Sequence, residues 1–374
     1  MFSKMYQGFE CRPNADGSLW VLLSITRDRE WPQYQVKNYR PNGNRFQKEI
    51  GAYYGVGGWY DPVICDLSNR TLETQVFVSN DYGRMMQYHE LTSLSYSNGI
   101  TSRVQYPGGI SKTSLKHIRK TNDTTASAFS FEWSSDGEPI GVKFLKDFTL
   151  YPLWPDDYTG PFLIAETLWE SETPATFLLD ERIKNSNFMA ALYRHWEDEN
   201  WAFVCVDNEK VLFETTNIVA GDIENLTLHA TDEQFVLCWQ EPQSQDLFIQ
   251  SYHPTTNVLS SAEVFYSGGA SELDAIAYFQ IGIGGDNIYL QIPQLKSPDN
   301  SEPQNWASLI RHTLKRDDLM IQETVTPIEF PGSQRFATHR IVVDDEEPHS
   351  IIVTRDRRFS QLFYYGSLNI GSSQ

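Results

Sequence analysis

The sequence predicts an all-β chain built from repeated antiparallel hairpins. Three observations carry that reading. A short acidic turn set between two apolar stretches recurs along the chain. The residue usage suits half-buried pleated surfaces, with Tyr, Phe, Trp, Val, Ile and Thr frequent and no Ala/Glu/Lys/Leu-rich run. A strand motif also returns at a fixed offset from the strand before it.

The clearest hairpins are Ala191–Trp196, turn Glu197–Asn200, strand Trp201–Cys205, and Leu226–Ala230, turn Thr231–Gln234, strand Phe235–Trp239. Further turns of this kind are Asn14–Gly17, Gly284–Asn287 and Asp344–Glu347. Leading strands are expected to begin near Leu19, Gln75, Ala128, Phe162, Trp201, Phe235, Ile288 and Ser350. Phe203-Val204-Cys205-Val206 and Val21-Leu22-Leu23 are apolar on both faces, as in a strand covered on two sides. Asp246–Tyr252 alternates, as in a strand with one side more exposed.

The offset motif is apolar-x-x-Tyr-basic-Pro-x-x-Asn. It occurs as Val36–Asn44 and again as Ile249–Asn257, displaced by 213 residues, about four units of 53. Met85–His89 is a weaker third copy. Helix is scarce: Ser271–Ala277 is a short helical candidate, and Leu319–Val325 reads either way. Lys296–Gln304 reads as a long loop.

A hairpin cannot bury its apolar face alone, so repeated units must stack. In these motifs the chain resembles β-propeller repeat proteins. The resemblance implies one propeller domain over residues 1–374, with each blade an antiparallel sheet sealed by the next. Seven units of 53 residues nearly fill the chain, which favours seven blades over six or eight. The resemblance also implies that Gln361–Tyr365 shares a closing blade with an N-terminal strand. A β-sandwich pair would lack the shared offsets, and a parallel β-helix would need a shorter period.

The formal charge is −19 and the sequence pI about 4.8. That field repels phosphate backbones and anionic membranes and favours a protein partner with a basic surface. Met1–Gly8 lacks an apolar signal core, which places the protein in the cytoplasm. The sequons at Asn69, Asn122 and Asn225 then read as chance matches. Cys11, Cys65, Cys205 and Cys238 form no CxxC pair. Cys205 and Cys238 read as buried thiols, with a disulfide between them the alternative.

No motif calls for a cofactor, a metal or a catalytic residue. There is no G-x-S-x-G, no P-loop and no H-E-x-x-H, and Gly282–Gly285 reads as a hairpin turn. Asp344–Glu347 reads as a solvated turn rather than a calcium site. Ser79–Met86 keeps only the Ser, Asp and Gly of a sialidase Asp-box. Lys112–Lys120 and Arg355–Arg358 are local basic stretches.

The expected function is therefore non-enzymatic protein binding, in concrete form an immunity or inhibitor protein that neutralises a toxin. Expected contact residues are Tyr53, Tyr54, Trp59 and Tyr60 in one loop and Trp154, Asp156, Asp157 and Tyr158 in another. Aromatics mixed with Gly, Pro and acid are typical of interface hot spots. Two alternatives stay open. One is a glycan-binding lectin using Trp59, Trp154, Trp169 or Trp306. The other is a sialidase-like glycoside hydrolase at the channel mouth, using Arg27, Arg84, Arg311 or Arg355.

Overall fold

The computed structural model describes residues 9–13, 19–25, 33–39, 45–50, 63–68, 71–80, 86–95, 99–107, 112–115, 119–121, 125–133, 139–149, 151–152, 166–183, 186–197, 199–219, 223–267, 279–295, 306–329, 335–344, 347–355 and 360–365. Among them there is no helix, hence none long and apolar enough to cross a membrane. The described strands form seven antiparallel sheets in chain order. The chain divides into two compact units, residues 1–182 with 187–220 and residues 183–186 with 221–374.

In the first unit, the first sheet holds β1 (Phe9–Pro13), β2 (Leu19–Ile25), β3 (Gln33–Tyr39) and β4 (Arg45–Ile50). The second holds β5 (Val63–Ser68), β6 (Thr71–Asn80), β7 (Met86–Ser95) and β8 (Gly99–Pro107). In the third, β9 (Lys112–Leu115) and β10 (Arg119–Lys120) share the same edge of β11 (Thr125–Trp133), followed by β12 (Pro139–Thr149) and β14 (Glu166–Glu170). The two-residue β13 (Tyr151–Pro152) returns to pair with β8, tying the third sheet to the second. The fourth sheet holds β15 (Ala175–Arg182), β16 (Met189–His195), β17 (Trp201–Val206) and β18 (Val211–Val219).

In the second unit, the fifth sheet holds β19 (Glu224–Ala230), β20 (Phe235–Gln240) and β21 (Leu247–His253). Its outer edge is split between β22 (Val258–Leu259) and β23 (Glu263–Tyr266). The sixth holds β24 (Gln280–Gly284), β25 (Asn287–Leu295), β26 (Trp306–Lys315) and β27 (Ile321–Glu329). The seventh holds β28 (Arg335–Asp344), β29 (Glu347–Arg355) and β30 (Ser360–Tyr365).

Within each unit the leading strands of successive sheets lie side by side: β1 next to β5, β5 next to β10, then β19 next to β24 and β24 next to β28. Sheets joined at their first strands and covering one another face to face are the blades of a propeller. The expected burial follows. All of β17 and all of β20 are buried, while β21 alternates. The outer strand β18 is half-buried to exposed over most of its length.

Seams between sheets carry the core. Between the third and fourth sheets, Phe129, Phe144, Trp169 and Tyr193 pack with Val142, Met189, Ala191, Val204 and Val206. Between the fifth and sixth, Val236, Leu247, Ile249, Ile281, Ile283, Ile288, Leu290 and Ile292 interdigitate.

The offset motif has a structural cause. It ends the third strand of both the first and the fifth sheet, with Tyr39 opposite Leu19 and Tyr252 opposite Phe235. In the fifth sheet the Tyr252 hydroxyl donates to Asn257 Oδ1 at 2.9 Å, and Asn257 takes a left-handed φ of 54°. Asn tolerates that conformation better than a residue lacking a short polar side chain. The copy at Met85–His89 lies at the start of β7 rather than the end, with Tyr88 opposite Val78, and so is out of register.

Some expectations are corrected. The two clearest hairpins are not equivalent. β19–β20 joins the first and second strands of a sheet, whereas β16–β17 joins the second and third. Leu319–Val325 is turn and strand, because β27 pairs with β26 over this stretch. β30 pairs with β29; residues 1–8, which could supply the N-terminal strand expected beside it, lie outside the described residues. Cys205 and Cys238 are free buried thiols as expected, and the alternative disulfide between them is absent. The strand start expected near Phe162 and the candidates at Ser271–Ala277 and Lys296–Gln304 lie outside the described residues.

Candidate functional site

Tyr53, Tyr54, Trp59, Tyr60, Trp154, Asp156, Asp157 and Tyr158 all lie outside the described residues. The described residues offer two turn regions of acidic character, one in each unit.

In the second unit, turns of the fifth and sixth sheets meet around Arg316. Thr231 shapes the β19–β20 turn: its hydroxyl accepts from the backbone N–H of Glu233 and Gln234, and its own N–H donates to Gln234 O at 2.9 Å. Arg316 donates from its guanidinium to Gly285 O at 3.0 Å and from its backbone to Asp286 O at 2.8 Å. Gln234 turns its amide oxygen toward the same guanidinium. Burial holds the Arg316 proton less tightly than usual, and the carboxylates of Asp286, Asp317 and Glu233 oppose that shift. The side chains of Asp232, Glu233, Asp286, Asp317 and Asp318 stay exposed, next to an exposed Met320 and Ile321. His253 Nε2 lies 3.7 Å from Glu233.

In the first unit, the β16–β17 hairpin ends in the tip Trp196–Asn200. His195 N donates to Asn200 O, and Trp196 N donates to Pro174 O, both at 2.9 Å. Thr173 Oγ1 bonds His195 Nδ1, so the tip is tied to the connection Ser171–Pro174. Glu199 takes a φ of 57° and pairs with Arg194, whose guanidinium lies 5.9 Å from the Trp201 ring centroid. Trp196 is 56% exposed, and Glu172, Glu197 and Glu199 are exposed around it.

Buried polar groups serve the seams. Between the sixth and seventh sheets, Ser350 Oγ donates to Gln291 Oε1 at 2.5 Å, and the Gln291 amide meets His339 Nδ1 at 2.7 Å. Arg311, one of the arginines considered for a sugar carboxylate, is buried there and donates to Pro348 O. Trp169, considered for sugar stacking, is only 8% exposed and packs against Phe129 and Tyr193. Burial pushes the Tyr193 hydroxyl well above its ordinary range, with the charges of Glu214 and Glu172 adding to the shift. Among the described residues, no three His, Cys, Asp or Glu side chains gather as a metal site would require.

Sequence reasoning missed Trp196 because it sits at the end of an apolar strand pattern. The acidic turn that follows it was the available signal.

No family model matches the chain, and no curated protein does. Solved structures do. A prolyl endopeptidase aligns at a TM-score of 0.55 and 10% identity, covering 96% of this chain and 47% of that one. Prolyl oligopeptidase B from Galerina marginata aligns at 0.53 and 8%, covering 97% and 49%. The chain thus spans about half the length of these peptidases. The polysaccharide lyase Uly1 aligns at 0.51 and 8%, covering 99% and 91%. At such identities the likeness concerns the fold alone, and that fold is the β-propeller.

Proposed function

We propose that this chain is a protein-binding propeller that acts by docking rather than by chemistry, on a partner with a basic surface. The concrete form is an inhibitor of immunity type that caps a toxin. One observation carries the reading: acidic side chains are held outward on the blade turns, beside exposed apolar ones, in a chain of formal charge −19. Rigid sheets presenting variable loops are a common recognition scaffold. An acidic field speeds encounter with a basic surface and weakens as salt rises.

Affinity capture with the tagged full chain from native lysate, at low and high salt, tests it. The expected result is a specific protein of high isoelectric point whose recovery falls at high salt. Recovery of no specific partner, or cleavage or binding of an oligosaccharide in a glycan panel, would replace this reading with one of the two glycan-directed alternatives.

A further inference from the structure

Trp196 differs from the other tryptophans whose side chains are described. Trp169, Trp201 and Trp239 are each buried to 9% exposure or less, whereas Trp196 is 56% exposed. Its backbone is pinned on both sides, by His195 N to Asn200 O and by its own N–H to Pro174 O. With the backbone held, only the two side-chain torsions of the indole remain to be fixed on binding, a small cost for a large contact area.

The charges around it are unbalanced. Glu172 comes from the connection stitched to the tip, and Glu197 and Glu199 come from the tip itself. Arg194 is the basic group here, and it is engaged with Glu199 and close to the Trp201 ring. That arrangement shows within the chain how a guanidinium sits among an indole and a carboxylate. At the neighbouring Tyr193 burial is the main cause opposing ionisation, and Glu214 and Glu172 add to it.

We infer that the β16–β17 tip is the docking site for a basic loop of the protein partner. Trp196 receives an arginine side chain on its ring face, and Glu172 and Glu197 supply the countercharge. This deepens the protein-binding reading and rests on it. Charge complementarity selects the occupant: a guanidinium gains a cation–π contact with the ring and charge-assisted hydrogen bonds with the carboxylates, whereas a neutral sugar gains stacking and ordinary hydroxyl hydrogen bonds without the ionic attraction.

The test uses the full chain and a fluorescein-labelled peptide of alternating Arg and Gly, with fluorescence anisotropy as readout. Trp196→Ala leaves net charge unchanged and is expected to weaken binding about fivefold or more, the loss expected of a stacked cation. Trp196→Phe is expected to fall between. Glu172→Gln and Glu197→Gln are expected to weaken binding about threefold each, and Asp318→Asn in the other unit by less than twofold. Equal affinity of Trp196→Ala and the parent chain overturns the inference, as does a glycan panel in which Trp196→Ala abolishes binding of a neutral oligosaccharide. The same variant is then applied to any captured partner. A partner retained with undiminished affinity sinks this site and leaves the protein-binding reading standing; absence of any partner removes that reading itself. Far-ultraviolet circular dichroism and the melting midpoint check that each variant is folded.

Discussion

The seam between the third and fourth sheets is built around four rings, and the seam between the fifth and sixth mainly around branched aliphatics, with Phe265 and Phe279 beside them. In the first, Phe129 meets Phe144 at 5.0 Å and Trp169 at 6.3 Å, both near edge-to-face, and Trp169 meets Tyr193 at 5.6 Å. In the second, Ile281, Ile283, Ile288 and Ile292 interleave with Val236, Leu247 and Ile249. Each buries one strand completely, β17 in the first and β20 in the second. The aromatic seam concentrates its contacts in four large side chains whose mutual geometry is specific. The aliphatic seam spreads most of the same task over smaller branched ones. Blades of one fold can therefore be sealed by unrelated residue sets, which is why the seams carry no shared sequence signature.

The largest expected effect breaks the comparison at its centre. Phe129→Ala should cost about 3–5 kcal/mol, because a fully buried ring leaves a cavity that its aromatic neighbours Phe144 and Trp169 cannot close. Ile288→Val should cost about 0.5–1.5 kcal/mol. Urea unfolding midpoints of the two variants read the contrast. Equal losses would mean that the aromatic seam relaxes as readily as the aliphatic one.

Glycine offers a second and smaller contrast. A Cβ on Gly282 would lie 2.7 Å from Val343 Cγ2 and 3.3 Å from Ile341 Cγ2, so the leading strand of the seventh sheet approaches β24 only because no side chain is there. A Cβ on Gly141 would lie 2.7 Å from Ser171 Oγ. Gly282→Ala forces two β-branched side chains apart, at about 1–3 kcal/mol. Val343→Ala added to it should recover part of the loss. Gly141→Ala displaces a hydroxyl that can rotate, and costs about 1 kcal/mol through the Ser171 Oγ bond to Val142 N. Thermal melts of the three variants decide the order.

These contrasts mark how far the fold was legible in the sequence. Strands were readable wherever period and turn chemistry agreed. Leu19 opens β2 and Phe235 opens β20. Gln75, Ala128, Ile288 and Ser350 fall within β6, β11, β25 and β29, all second strands of their sheets. Trp201 opens a third strand instead, because the acidic turn before it looks the same whichever strands it joins. The motif at Tyr252 was legible since one hydrogen bond and one left-handed Asn require those residue types. The close approach at Gly282 was not: Gly282 reads as part of a turn, and its packing partners Ile341 and Val343 are distant in sequence. The candidate site was legible only as acidic turns. That Trp196 points outward depends on which strand pair its hairpin joins, and local pattern does not encode that.

The smallest expected effect compares one thiol from each unit. Burial raises Cys205 well above its ordinary value, with Asp207 adding to the rise. Burial raises Cys238 in the same way, although Arg316 pulls against it. Both thiols stay neutral in the fold, while the unfolded chain ionises them from an ordinary value of 9.0. A raised folded value means that the stability is fully present below that pH and is lost as pH rises above it. Between pH 9 and 10 each thiol should remove roughly 1 kcal/mol. Cys205→Ala and Cys238→Ala should each flatten the pH dependence of the urea midpoint, measured under reductant, by that amount. The slope is the readout, since either substitution also shifts the overall midpoint. If only Cys205→Ala flattens it, then Arg316 lets Cys238 ionise within the folded chain, and the turn cluster of the fifth and sixth sheets reaches electrostatically into the aliphatic seam.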